Sequence, residues 1–113
     1  MSEWDEWVHT TTAGATSREV GERIGHSHTT ALKWMHEPTP QHAIGLALAY
    51  NSDILGALVA VGLLSPEEAD RLNLDKALAK LSSIKLTGEL YRRAVAQARR
   101  HAAELDAFDE ERG

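Results

Sequence analysis

Histidine is the most prominent potentially reactive residue type in the first half of this sequence. Five of the six histidines lie between residues 1 and 42, at His9, His26, His28, His36 and His42. An imidazole can bind a metal ion or a phosphate and can exchange a proton near neutral pH. No carboxylate or cysteine, however, stands at a recognised metal-ligand spacing from these histidines. We therefore expect no metal site and no cofactor, and interpret the histidines as solvated or phosphate-facing side chains.

The residue patterns of the common catalytic sites are missing from the sequence. It has no cysteine, no serine between the glycines of a nucleophile elbow, no glycine-rich phosphate loop and no His-Glu-x-x-His pair. Those patterns supply an activated nucleophile, a phosphate cradle or a catalytic metal ion. We therefore predict that the protein is not an enzyme.

Two capped helices in succession are the most informative local pattern. The run Thr16-Ser17-Arg18-Glu19 is a capping box and predicts a helix over Ser17–Ile24, which Gly25 ends. The serine after this turn can cap a second helix over Ser27–His36. Two short helices joined by a tight connection with a glycine are typical of a helix-turn-helix. Gly21 supplies the small residue that the crossing of such helices requires. The inward-facing apolar residues are Val20, Ile24, Ala31 and Trp34.

The stretch from Thr16 to Pro40 resembles the helix-turn-helix of the phage repressor and Cro family, also called the xenobiotic-response-element family. The features that match are Thr16, Gly21, Gly25, Ser27 and Trp34. The residues that follow are similar to the family's fourth and fifth helices, so the resemblance covers roughly residues 4–72. The second half of the chain also resembles small regulators and immunity-repressor-like proteins of actinobacteria and their phages. The resemblance implies a sequence-specific DNA-binding transcriptional regulator, and most specifically a phage or prophage immunity repressor.

This resemblance also implies which residues contact double-stranded DNA. The second helix of the motif would lie in the major groove, with its N-terminal residues against the base edges. His28 and Thr29 would then read bases, Leu32 would touch a thymine methyl group, and Lys33 would reach guanine or phosphate. The remaining candidate contacts are Ser17, Arg18 and Ser27, which suit phosphate oxygens at helix starts, and Thr30.

Helical periodicity extends over almost the whole chain and predicts an all-α fold. We expect a five-helix repressor-type domain over residues 1–64, with the motif at 16–37, and a helical C-terminal extension over 65–113. Before the motif, Trp4, Trp7 and Val8 form a short helical stripe that the run Thr10–Gly14 should break.

Cap residues predict two further helix starts after the motif. Thr39 with Pro40 should begin one helix, and Ser65 with Pro66 should begin another that continues to about Leu81. A single long helix is predicted from Thr87 to about Glu110. One face of this last helix carries four arginines, Arg92, Arg93, Arg99 and Arg100.

The arginine face of the last helix has three readings. It can be an ordinary solvated surface, or it can supply additional phosphate contacts. In the third reading, the apolar stripe on the opposite side of the helix forms the interface of a homodimer. This reading is compatible with either of the other two. A dimer is attractive because one weakly basic module rarely binds DNA tightly alone, whereas two modules about one helical turn apart read a palindrome.

The overall charge favours a protein that binds another protein over one that binds DNA. There are 12 lysines and arginines against 17 acidic residues, and the formal net charge is −5. Such an acidic balance argues against binding to nucleic acid. The alternative hypothesis is an acidic helical adaptor, for example an antitoxin-like protein, that binds a protein partner. No apolar stretch approaches the about 18 residues of a membrane span, and no secretory leader is recognisable. We therefore expect a cytoplasmic protein without membrane contact.

Overall fold

Eight helices make up the part of the chain that the structure describes, which is residues 2–71 and 74–112 of a computed structural model. No strand occurs among these residues, so the predicted all-helical fold is confirmed. In chain order the helices are α1 (Glu3–Thr12), α2 (Ser17–Ile24), α3 (His28–His36), α4 (Pro40–Ala49), α5 (Ile54–Ala60), α6 (Pro66–Arg71), α7 (Leu74–Ser82) and α8 (Gly88–Arg112).

Three caps predicted from the sequence are present at the starts of α2, α4 and α6. At α2 the Thr16 hydroxyl accepts from the Glu19 amide at 3.3 Å, and the Glu19 carboxylate accepts from the Thr16 amide at 3.2 Å. The same reciprocal pair joins Ser65 and Glu68 before α6, at 3.0 and 3.2 Å. Thr39 caps α4 through one bond only, since its hydroxyl accepts from the His42 amide at 3.2 Å. Each cap satisfies amides that a helix start leaves without a partner.

The run Thr10–Gly14 was expected to break the first helix, and α1 ends within this run, but only after its three threonines, at Thr12. The Thr12 hydroxyl donates to the Val8 carbonyl at 2.8 Å, and Thr12 is only 4% exposed. This bond satisfies the hydroxyl within the helix, so a buried threonine is tolerated in its last turn. The helix ends one residue later, where Ala13 adopts a left-handed conformation with φ of 55°.

The helix predicted over residues 65–81 coincides with two described helical segments, α6 and α7. Residues 72 and 73, which that prediction included, lie outside the described residues. Helix α6 buries none of its residues, whereas Leu64 before it and Leu81 in α7 are almost fully buried. Between these two residues, Ala69 of α6 and Leu78 of α7 are half-buried and pack against the core.

Helix α4 lies at the centre of the hydrophobic core. Its residues 43–47 are all buried, and it packs against α2, α3, α5 and α8. Leu81 of α7 and Ala94 of α8 belong to the same cluster as Ile44 and Leu58. The last helices thus pack on the core that holds α2 and α3. The division of the chain at residue 64 stays a prediction.

The described helices differ from membrane-spanning helices in length or in hydropathy. In the described part of the chain, none is both long enough and apolar enough to cross a bilayer.

Candidate nucleic-acid interface

The connection between α2 and α3 is a tight turn that two glycines permit. Gly25 has a φ of 78°, a left-handed conformation that side-chain-bearing residues rarely adopt. Gly21 lies under the turn itself: a Cβ atom at this position would be 2.8 Å from the carbonyl oxygen of His26. The small residue predicted for the helix crossing therefore makes room for the backbone of the turn. The close approach of turn and helix sets the direction in which α3 leaves α2.

Helix α3 turns one side toward the core and the other toward solvent. Ala31 is fully buried, while Trp34 and Met35 are half-buried. The opposite side consists of five exposed residues, which we call the outer face of α3: His28, Thr29, Leu32, Lys33 and His36. Their spacing makes this face continuous along the helix. The structure thus brings four of the predicted base or phosphate contacts together on one surface.

Two predicted contacts are partly used by the cap of α3. The Ser27 hydroxyl accepts from the Thr30 amide at 3.2 Å and donates to the Thr30 hydroxyl at 3.1 Å. Thr30 is half-buried, and Ser27 is exposed. The two hydroxyls therefore position the first turn of α3. Of the candidates on α2, Arg18 is exposed and Ser17 is half-buried at the first helical position.

A contact with Gly45 positions the inner side of α3. A Cβ atom on Gly45 would lie 2.9 Å from Cη2 of Trp34, so the indole ring rests directly on the backbone of α4. His26 and His42 flank the same ring, with centroid distances of 5.4 and 5.8 Å. The sequence reasoning placed Trp34 in the core but missed Gly45. The sequence did contain a signal, an isolated glycine inside a helical pattern. Glycine destabilises a helix relative to alanine, so its presence there indicates that packing requires a small residue.

Two further contacts that sequence reasoning missed join the motif to its neighbours. The indole nitrogen of Trp4 in α1 donates to the Met35 carbonyl at 2.8 Å, near the end of α3. The Arg23 guanidinium of α2 donates to the Ala49 carbonyl at 2.8 Å and lies 5.0 Å from the centre of the Tyr50 ring. Burial raises the pKa of Tyr50, and the positive charge of Arg23 opposes that rise. Such bonds join residues far apart in sequence, so local patterns contain no trace of them.

The motif carries no net charge apart from its histidines. Between residues 16 and 37, the three basic residues Arg18, Arg23 and Lys33 balance three glutamates. The outer face of α3 contains one of these cations, Lys33, together with His28 and His36. Any affinity for phosphate therefore has to come largely from hydrogen bonds at this face or from cations elsewhere in the molecule.

The four arginines predicted to share one face of the last helix are all exposed on α8. Arg93 pairs with Glu89 one turn earlier, at 2.8 Å. Helix α8 packs against α4, α5 and α7. The arginines therefore form a basic surface on α8, a helix other than the two of the motif.

Comparisons with known proteins found no relative of this chain. The chain matches no protein-family model, no curated protein and no solved structure. Within the described residues, no group of three or more histidine, cysteine or acidic side chains is placed to hold a metal ion. The assignment of a function therefore depends on the motif and its exposed face.

Proposed function

We propose that the protein is a sequence-specific regulator of transcription that binds double-stranded DNA, and in particular a phage or prophage immunity repressor. The observation that carries this proposal is the outer face of α3, which stays uncovered while the opposite side of the helix packs on α4. A free polar helix face is what insertion into the major groove requires. In this proposal the protein has no catalytic activity and needs no cofactor.

The dimensions of α3 suit the major groove of B-form DNA. A helix with its side chains is about 10–12 Å wide, and the groove is about 12 Å wide. With its nine residues, α3 presents a little over two turns to the groove. His28 and Thr29 lie in the first turn, where base contacts concentrate in helix-turn-helix proteins. Lys33 lies one turn later, within reach of guanine or phosphate.

Phosphate contacts complete the proposed interface. Ser17 and Arg18 at the start of α2, together with Ser27 before α3, would bind the backbone beside the groove. The arginine surface of α8 would add further phosphate contacts, and two copies of the chain would read a palindromic site. A dimer compensates for the single permanent cation on the outer face of α3, because each copy adds its own phosphate contacts.

Fluorescence anisotropy on DNA fragments tiled across the region that flanks the gene tests the proposal. With excess competitor present, we expect saturable binding to one fragment and an affinity that falls steeply as salt increases. Weak binding that is equal on every fragment would contradict sequence-specific recognition.

Two substitutions on the outer face separate binding from stability. His28→Ala and Lys33→Ala should each weaken binding to the selected fragment by about 1–3 kcal/mol. Both side chains are exposed, so the melting temperature should stay nearly unchanged. Arg71→Ala on α6, another exposed cation, is the matched control and should retain wild-type affinity. Wild-type affinity in both outer-face variants would exclude α3 as the reading element.

The acidic character of the chain favours a second candidate, an adaptor that binds a protein partner through the same fold. Its support is the net charge of −5 and the balanced charge of the motif. Such an adaptor would bind all the DNA fragments weakly and alike, and would retain a protein partner in a pull-down. Loss of that partner in the His28→Ala variant would then place the protein interface on α3.

A further inference from the structure

His42 lies in the first turn of α4 and contacts α3 in two ways. Its ring packs against the Trp34 ring, with centroids 5.8 Å apart and an angle of 18° between the planes. Its Nδ1 atom lies 2.8 Å from the carbonyl oxygen of Glu37, the residue that caps the C-terminal end of α3. A carbonyl oxygen only accepts hydrogen bonds, so Nδ1 is the donor. One side chain of α4 therefore contacts both the inner side and the end of α3.

A small set of hydrogen bonds holds the short connection between α3 and α4. The Glu37 carbonyl also accepts from the Thr39 amide at 2.9 Å, and the Thr39 hydroxyl accepts from the His42 amide at 3.2 Å. Both lone pairs of the Glu37 carbonyl oxygen are thus engaged. The bond from Thr39 lies within the connection itself, whereas the bond from the His42 imidazole joins the end of α3 to a side chain of α4.

The Trp34 ring is the second point at which His42 holds α3. The indole also rests on the α4 backbone at Gly45, which lies three residues after His42 on the same side of that helix. The His26 ring contacts the indole as well, with centroids 5.4 Å apart, but His26 belongs to the turn before α3. Of these three rings, only that of His42 therefore belongs to α4.

We propose that His42 is a positioning residue for DNA recognition, because it fixes the orientation of α3 relative to α4. This inference rests on the proposed function, since it assumes that the outer face of α3 reads base edges. His42 meets α3 on the side of Trp34, opposite the outer face, so it acts through Trp34 and Glu37 without touching DNA.

The two parts of DNA binding differ in how far they depend on this orientation. Hydrogen bonds to base edges weaken steeply when a donor or acceptor is misplaced, and a recognition site tolerates a shift of only about 0.5 Å or 10–20°. Charge attraction to phosphates is less directional and acts at any sequence. A change in the orientation of α3 should therefore reduce the preference for one sequence more than the general affinity for DNA.

The ratio of the affinities for a selected and a scrambled duplex tests this role. The selected duplex is enriched by the wild-type protein from a random-sequence pool, and both affinities are measured by fluorescence anisotropy well below the melting temperature. We expect His42→Ala to weaken binding to the selected duplex about tenfold, since it removes a hydrogen bond and a ring contact. Binding to the scrambled duplex should change less than about twofold. A purely structural role would instead lower both affinities by one factor, because unfolded protein binds neither duplex.

Two conservative variants each keep one of the two contacts. His42→Phe keeps a ring against Trp34 and lacks the donor, whereas His42→Asn keeps an N–H donor near the position of Nδ1 and lacks the ring. Each should lower the affinity ratio about threefold, and so restore part of the preference lost in His42→Ala. His9→Ala, which changes an exposed histidine of α1, is the control and should keep the wild-type ratio.

The possible failures of the two proposals are distinguishable. A wild-type ratio in His42→Ala, or in both conservative variants, would overturn the role of His42 and leave DNA binding intact. Equal losses on the two duplexes would also overturn it. If His42→Ala does not fold, the conservative variants carry the same comparison. If selection enriched no sequence at all, the proposed function would fail, and the inference would fail with it.

Discussion

Gly45 has a structural role that its helix propensity alone would not suggest. It lies inside α4, where glycine is less favourable than alanine, and it leaves room for the Trp34 ring. Gly45→Ala would place a methyl group against that ring, so either the indole or α4 must shift. We expect the free energy of unfolding to fall by about 1–3 kcal/mol, measured by urea denaturation, with a matching loss of DNA affinity.

Gly56→Ala in α5 is the control for this substitution. Its Cβ atom would meet its nearest neighbour, the Asp53 carboxylate, at 3.6 Å, which is an ordinary contact. Alanine there should be neutral or stabilise the protein by up to about 1 kcal/mol, because the unfolded chain loses conformational freedom. Equal effects of the two substitutions would show that the Trp34–Gly45 contact does not position α3.

Among the elements, α6 depends on a charged cap at its start. The Glu68 carboxylate accepts from the Ser65 amide and lies 3.4 Å from the Lys80 ammonium group of α7. The bond from Ser65, followed by the interaction with Lys80, holds the pKa of Glu68 below its ordinary value of 4.5. This lowered pKa stabilises the folded state above pH 4.5, and the stabilisation is lost as the pH falls through the folded-state pKa.

We expect Glu68→Gln to lower the melting temperature at neutral pH and to have progressively less effect as the pH falls below 4.5. Glutamine keeps an oxygen that can accept from Ser65, so the difference reports the charge. The measurement is thermal unfolding of both proteins between pH 3 and pH 7, followed by circular dichroism. Glu67→Gln, which removes the neighbouring exposed carboxylate, is the control. A temperature difference that stayed constant down to the lowest pH would exclude the proposed role of the Glu68 charge.

At the scale of the whole molecule, α8 is the longest of the described helices. Its 25 residues span about 37 Å, whereas the molecule measures 47 × 29 × 25 Å. Among the described side chains of α8, Leu90, Tyr91 and Ala94 in its first turns pack in the core. The proposed homodimer through the C-terminal helices predicts that light scattering of the full chain gives the mass of two copies.

A shortened chain that ends at Arg100 is the matched comparison. It keeps the core residues Leu90, Tyr91 and Ala94, so it should still fold, and it should scatter as a single copy. On a palindromic duplex, the full chain should bind as a pair at lower concentration than the shortened chain. A monomeric full chain, both free and on DNA, would exclude the dimer.

The sequence predicted the features of this fold that depend on neighbouring residues. The Thr16–Glu19 and Ser65–Glu68 boxes, the left-handed Gly25 and the proline at the start of α4 all act within one turn of a helix. Where a local rule had to compete with packing, the helix end was predicted only loosely: the run Thr10–Gly14 was expected to break α1, yet α1 includes its three threonines, and Thr12 bonds to Val8. Local propensity is weak enough that one satisfied, buried side chain can override it.

Local sequence patterns are enough to predict that the chain is helical, where most of its helices begin and end, and which residues of α3 are polar. Which of these residues face solvent depends on how the helices pack. Trp34 resting on Gly45, Trp4 bonded to the Met35 carbonyl and Arg23 bonded to the Ala49 carbonyl hold the motif in its orientation. Caps and turns involve residues within a few positions of one another, whereas these contacts join separate helices and form only when the core assembles. The exposure of Leu32 at the centre of the outer face is therefore a property of the packed molecule.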